Sequence, residues 1–156
     1  MPANSELFAQ LLNTELQHAE HLHQLLQQEL QALQQQQLEP LANLQQPKSA
    51  ALQTLQQHAS QRLDWMTDQQ LPHSSACLQR PEFAAHPDLA GLWQQLAAVY
   101  ENNQRLSELL AELVLTARKR TLEQLNILRG KQNDPQLYNA NGGTSGLNKG
   151  SGYTCA

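Results

Sequence analysis

Apolar β-branched residues are nearly absent from this 156-residue chain: Ile127, Val99 and Val114 are the only three. Aromatic residues make up 4% and charged residues 15%. Strands draw on β-branched and aromatic side chains, so a β-rich fold is excluded. The net charge of −4 is too mild for a generic nucleic-acid binder. No stretch approaches the roughly 20 apolar residues that span a bilayer, so stable membrane insertion is not expected. The two cysteines, Cys77 and Cys155, form no C-x-x-C pair. No Lys or Arg precedes Lys48 and there is no apolar h-region, so no secretory leader is visible. These features predict a reduced, cytoplasmic protein.

Leu (30 residues) and Gln (25) make up about a third of the chain, and both favour helices. The first helix is expected to begin near Asn4 or Ser5, whose side chains can cap free backbone N–H groups. Its stripe runs Leu7, Leu11, Leu12, Leu16, Ala19, Leu22, Leu25, Leu26, Leu30 and Leu33, in steps of mostly three and four. Pro40 marks its end region, because a residue before proline is pushed away from helical angles. Residues 39–47 read as a connector between two prolines, with room for a helical turn from Pro40 to Leu44. A second helix starts at Pro47 or Lys48 and ends near Gln70, with a stripe of Leu52, Leu55, Ala59, Leu63 and Met66. Residues 71–87, with three prolines, form an irregular crossing.

The third helix is the clearest. Pro87 and Asp88 open it, and Gly130 stands where a left-handed C-terminal cap is expected. Leu89, Leu92, Leu96, Val99, Asn103, Leu106, Leu110, Leu113 and Ala117 follow a strict 3-4 rhythm, a heptad seam with one polar member. Asn103 on that seam is expected to fix register. Short connectors between long helices imply antiparallel neighbours. The expected architecture is an all-α antiparallel bundle of three long helices, a hairpin plus a long C-terminal helix, over residues 1–130. An irregular Gly-rich tail follows over residues 131–156. Phe8, Trp65, Phe83 and Trp93 should meet as an aromatic plug at the end near the crossing.

Catalytic and metal chemistry find little footing. Glu15-x-x-His18 and Glu20-x-x-His23 resemble half of a di-iron ligand set, but such sites need these pairs on two helices. A solvated His/Gln face is the expected reading. Cys77 has His73 and His86 nearby in sequence but no third orienting group. No phosphate-binding glycine loop follows a strand or opens a helix. The sequence therefore points to a non-enzyme with no metal and no cofactor.

Charge and amphipathicity carry more. Glu6, Glu15, Glu20, Glu29 and Glu39 occupy residues 1–47 without a basic residue, whereas Arg118, Lys119, Arg120, Arg129 and Lys131 face Glu123 alone over residues 117–131. Beyond Ala117 the seam rhythm would require Arg120 and Gln124. At 100° per residue, Leu115 and Leu122 point roughly 150° from the Ala117 position, and Leu125 roughly 80°. Burying one leucine is worth about 1.5–3 kcal/mol, so several left wet imply burial, either under a fold-back tail or a crystal dimer or in the groove of a partner. The candidate partner-binding residues are Leu115, Arg118, Leu122, Leu125, Leu128 and Arg129, a helix-in-groove surface with a basic rim.

The Gln/Leu-rich first helix, the Asn102-Asn103 pair in the long last helix, and Leu125 to Gly142 (LNILRGKQNDPQLYNANG) together resemble the FlgN family of flagellar type III export chaperones. Leu137-Tyr138 with Gly142 is similar to that family's Leu-Tyr-x-x-x-Gly ending. The resemblance implies a small all-α cytoplasmic protein without enzymatic activity. It would bind the C-terminal helical region of the hook–filament junction proteins FlgK and FlgL and deliver them to the export gate. It also implies client contact over about residues 113–129, and gate docking through Tyr138. A structural coiled-coil adaptor or homo-oligomer, joined through the seam of residues 89–117, is the competing reading.

Overall fold

The computed structural model describes residues 3–133, with side chains as far as residue 130. It is all-α: α1 spans Ser5–Gln34, α2 Leu38–Asp68 and α3 Asp88–Asn133, and two short 3-10 turns, Ser75–Gln79 and Pro81–Phe83, lie in the crossing. The chain divides into one unit ending at Ala111 and another beginning at Glu112. The Gly-rich tail lies outside the described residues.

Within the first unit the helices run up, down and up. Asn4 caps α1, its Oδ1 accepting from the Leu7 N–H at 3.1 Å. The turn into α2 is made by glutamine. Gln36 takes a left-handed φ of 56°, and the Gln37 N–H reaches back to the Ala32 carbonyl at 2.9 Å. The end of α2 repeats the device: Gln70 has φ 58°, and the Leu71 N–H donates to the Met66 carbonyl at 2.8 Å. Both are Schellman-type closures without the usual glycine.

Several expected boundaries move. Pro40 does not end α1; it lies in the first turn of α2, where a missing N–H is no loss. Residues 39–47 are therefore helix rather than connector, and Pro47 sits inside α2. An interior proline costs a helix about 3 kcal/mol. Neighbouring packing offsets it: Ala51 and Leu55 are buried, and the Lys48 Nζ reaches Glu29 Oε1 at 2.9 Å. Gly130 does not cap α3, because the helix continues to Asn133. Leu52, expected in the core, is 41% exposed while its neighbour Ala51 is buried.

Glu15 holds the three helices together. It projects from α1 and is 0% exposed. Arg62 of α2 donates to it through Nε at 2.5 Å and Nη2 at 3.2 Å, and the Tyr100 hydroxyl of α3 donates to Oε2. The Arg62 guanidinium also lies 5.7 Å from the Trp93 ring. Burial, then the bond to Glu15, push the Tyr100 hydroxyl well above its ordinary pKa. One turn on, Asn103 donates from Nδ2 to the Ala19 carbonyl at 3.0 Å and pairs through Oδ1 with His23 Nδ1 at 2.8 Å. The expected register role of Asn103 thus has its bonds. Glu15 and Glu29, read from sequence as unpartnered, are paired to α2 because its basic residues come opposite them in the antiparallel hairpin.

The aromatic plug forms as expected. Phe8 stacks on Trp65 at 5.0 Å and lies 5.3 Å from Phe83 and 6.4 Å from Trp93. The crossing is tied to both sides of it. Arg80 Nη2 donates to Glu82 Oε2 at 2.9 Å, and the Ala3 N–H donates to the same oxygen at 3.2 Å. The Arg80 hydrogen bond, helped by backbone N–H groups, holds the Glu82 carboxyl at about 2.

Removing Arg62 alone strands a buried carboxylate. Arg62→Ala is expected to cost about 3–5 kcal/mol in chemical denaturation, whereas the combined Glu15→Leu, Arg62→Leu, Tyr100→Phe variant should retain near wild-type stability. A mild effect of the single change would contradict this. Separately, His18 of α1 stacks on His58 of α2 with ring centroids 4.5 Å apart. Burial, then the charges of His58 and His21, hold His18 below 6.5. Its neutral form favours the fold, so that contribution is full above pH 6.5 and is lost as the pH falls below it. The melting temperature of His18→Gln should depend less on pH than that of the wild type between about pH 7 and 5.

Candidate partner-binding surface

Burial along α3 follows the heptad seam and then stops. Leu89, Leu96, Asn103 and Leu110 are buried and Leu92, Val99 and Leu106 half-buried. Leu113 is half-buried and Ala117, expected to close the seam, is exposed. The seam as far as Leu110 is buried or half-buried within the monomer, which leaves the coiled-coil adaptor reading less surface there.

The unit beginning at Glu112 shows the opposite pattern. Leu115 is 64% exposed, Leu122 57%, Leu125 42% and Leu128 60%. Arg118 and Arg129 are exposed as well. Taken by position, Leu115, Arg118, Leu122, Leu125 and Arg129 repeat the 3-4 spacing of a seam. At 100° per residue their directions fall within about 80° of one another. Leu128 lies outside this stripe, about 60° beyond Leu125. The hydroxyls of Thr116 and Thr121 turn back onto the Glu112 and Ala117 carbonyls at 2.9 and 3.0 Å. By helical spacing, five of the seven residues expected from sequence share one stripe and Leu128 lies to one side of it; the structure shows all six exposed. Tyr138 lies outside the described residues. Val114 and Ile127, not among the expected residues, are also exposed.

A second feature was not foreseen. Between α2 and the proximal part of α3 lies an open groove of about 1020 Å³. Leu52, Leu55 and Ala59 line one wall, Ala97, Ala98 and Glu101 the other, and Leu22 contributes the floor. The displacement of Leu52 from the core supplies its apolar lip.

Among the described residues no group of three His, Cys, Asp or Glu side chains could hold a metal ion. Cys77 is buried, and burial pushes its thiol upward, the reverse of an activated nucleophile. Among the described residues no helix is long and apolar enough to cross a membrane.

What these observations define is an all-α bundle whose last helix ends in exposed leucines and basic residues. A family model described as FlgN protein matches residues 1–146, and the chain belongs to the FlgN family, a family of flagellar export chaperones. No curated protein matches the chain, nor does any solved structure.

Because the distal leucines are wet, replacing them should not cost stability. Leu115→Ser and Leu122→Ser are each expected to stay within about 0.5 kcal/mol of wild type in urea unfolding. A loss of about 2 kcal/mol would show that these side chains are buried in solution.

Proposed function

We propose that this protein is the cytoplasmic export chaperone of hook–filament junction subunits of the FlgK/FlgL type. It takes the C-terminal helical region of its client on the distal part of α3 and delivers the client to the export gate. The observation that carries this reading is the exposed stripe of Leu115, Leu122 and Leu125 with Arg118 and Arg129 set into it. Family membership supports it, since the FlgN family serves flagellar export.

The mechanism is stoichiometric burial. An amphipathic client helix covers the leucines and gains about 1.5–3 kcal/mol for each one fully buried. Arg118 and Arg129 stand 11 residues apart on the stripe, about 16 Å, and favour a client with carboxylates at matching intervals. Leu128 extends the apolar contact at the edge. Release requires no chemistry from the chaperone, so a moderate affinity suffices. Tyr138 is assigned to gate docking by the family resemblance alone.

The test is co-purification. Coexpressed with a tagged C-terminal helical fragment of a FlgK-like client, the wild-type chain should be retained in a stoichiometric complex. Changing Leu115, Leu122 and Leu125 together to Asp should weaken binding by at least about a hundredfold, the cost of losing central apolar anchors. Retention of the triple variant, or of a chain cut before residue 113, would overturn the assignment of the site.

A further inference from the structure

The distal part of α3 carries apolar side chains on more than one side. Val114 is 40% exposed, Leu125 42% and Leu128 60%. Ala117 and Thr121 are exposed between them. Val114, Ala117, Thr121, Leu125 and Leu128 follow one another at intervals of three, four, four and three residues. At 100° per residue they fall within about 80° of one another, over 14 helical steps or about 21 Å. No charged residue falls in that sector; Arg118 is nearest and lies about 20° outside it, beside Leu125. The one hydroxyl on this face, that of Thr121, donates to the Ala117 carbonyl at 3.0 Å. Thr121 can therefore be covered without stranding a donor. Ala117 and Thr121 are also small, which lets a second helix approach closely.

The leucine–arginine stripe is a different surface. Its centre lies about 80° around the helix from the centre of the uncharged face, and Leu125 alone belongs to both. Leu128, at the edge of the stripe, lies within about 20° of the centre of the uncharged face, and Ile127 belongs to neither. A helix meets its two neighbours about 60° apart in a three-helix bundle and about 90° apart in a square four-helix bundle. One partner helix covers one such face and leaves the other wet. Two helices on faces this close touch each other along their length. They bind most favourably as neighbouring segments of one chain, because docking of the first holds the second at high effective concentration.

We infer that distal α3 takes its client as a pair of amphipathic helices rather than as one. The first lies on Leu115, Leu122 and Leu125, with carboxylates toward Arg118 and Arg129. The second is uncharged toward α3 and lies on Val114, Ala117, Thr121 and Leu128. Leu125 fills the cleft between the two. This rests on the client reading given above and adds the class of segment that the site recognises.

The test compares two client fragments on the full chain: the C-terminal helix alone, and a longer fragment that adds the helical segment preceding it. The longer fragment should bind at least about tenfold more tightly, since it buries Val114 and Leu128 as well. Val114→Asp with Leu128→Asp should abolish that advantage and leave the affinity for the single helix within about twofold of wild type. Leu115→Asp with Leu122→Asp should weaken both fragments by at least about tenfold. Equal affinity of the two fragments, or an advantage that survives Val114→Asp with Leu128→Asp, would overturn the inference and leave the proposed function standing. A lowered melting temperature of that variant without client would show the face already covered, and would overturn it too. Failure of both fragments to bind would overturn the proposed function, and the helix pair with it.

Discussion

Glu15 is the constraint around which the bundle is arranged. A carboxylate cannot be taken wholly out of water unless its charge and lone pairs are met. Meeting them requires Arg62 from α2 and Tyr100 from α3 at one level of the bundle. This fixes the antiparallel register of the hairpin and the parallel register of α3 in one stroke. The Leu/Gln composition alone would allow helices to slide, since one leucine packs much like another. The polar contacts, Glu15 at one level and Asn103 a turn further on, select one register among many of similar apolar burial.

The same arrangement accounts for where binding surface is left over. Between Leu89 and Leu110 the seam of α3 is satisfied within the molecule. Beyond Glu112 the 3-4 spacing resumes on a different face with leucine and arginine, and those side chains are wet. A helix with an exposed apolar stripe and inset guanidinium groups needs a partner of opposite character. The chain belongs to a family of flagellar export chaperones, and on the function proposed above this exposure is the means of holding a subunit before export.

Much of this was legible from residue spacing. The 3-4 rhythm predicts α1 and α3, the four large aromatics predict the plug, and the break in rhythm after Ala117 predicts the exposed leucines. What was not legible is instructive. Gln36 and Gln70 adopt left-handed angles that glycine usually signals, so the way these helices are closed carried no sign in the sequence, although the end of α2 near Gln70 did. Pro47 reads as a helix start, yet burial of the adjacent residues outweighs its cost inside α2. Glu15 and Glu29 look solvated because their partners, Arg62 and Lys48, lie far along the chain and meet them only once the hairpin closes. The α2/α3 groove was hidden for a related reason: helical periodicity cannot distinguish Ala51 from Leu52 as the inward residue.

Hydrogen exchange of the backbone amides tests the central claim most directly. On the present account, amides over residues 113–129 exchange faster than those flanking Glu15 and Asn103 in the dilute, client-free chain, and they become protected when a client C-terminal helix is added. Equal protection of both regions in the dilute, client-free chain, or no gain over residues 113–129 on adding a client that binds, would contradict it.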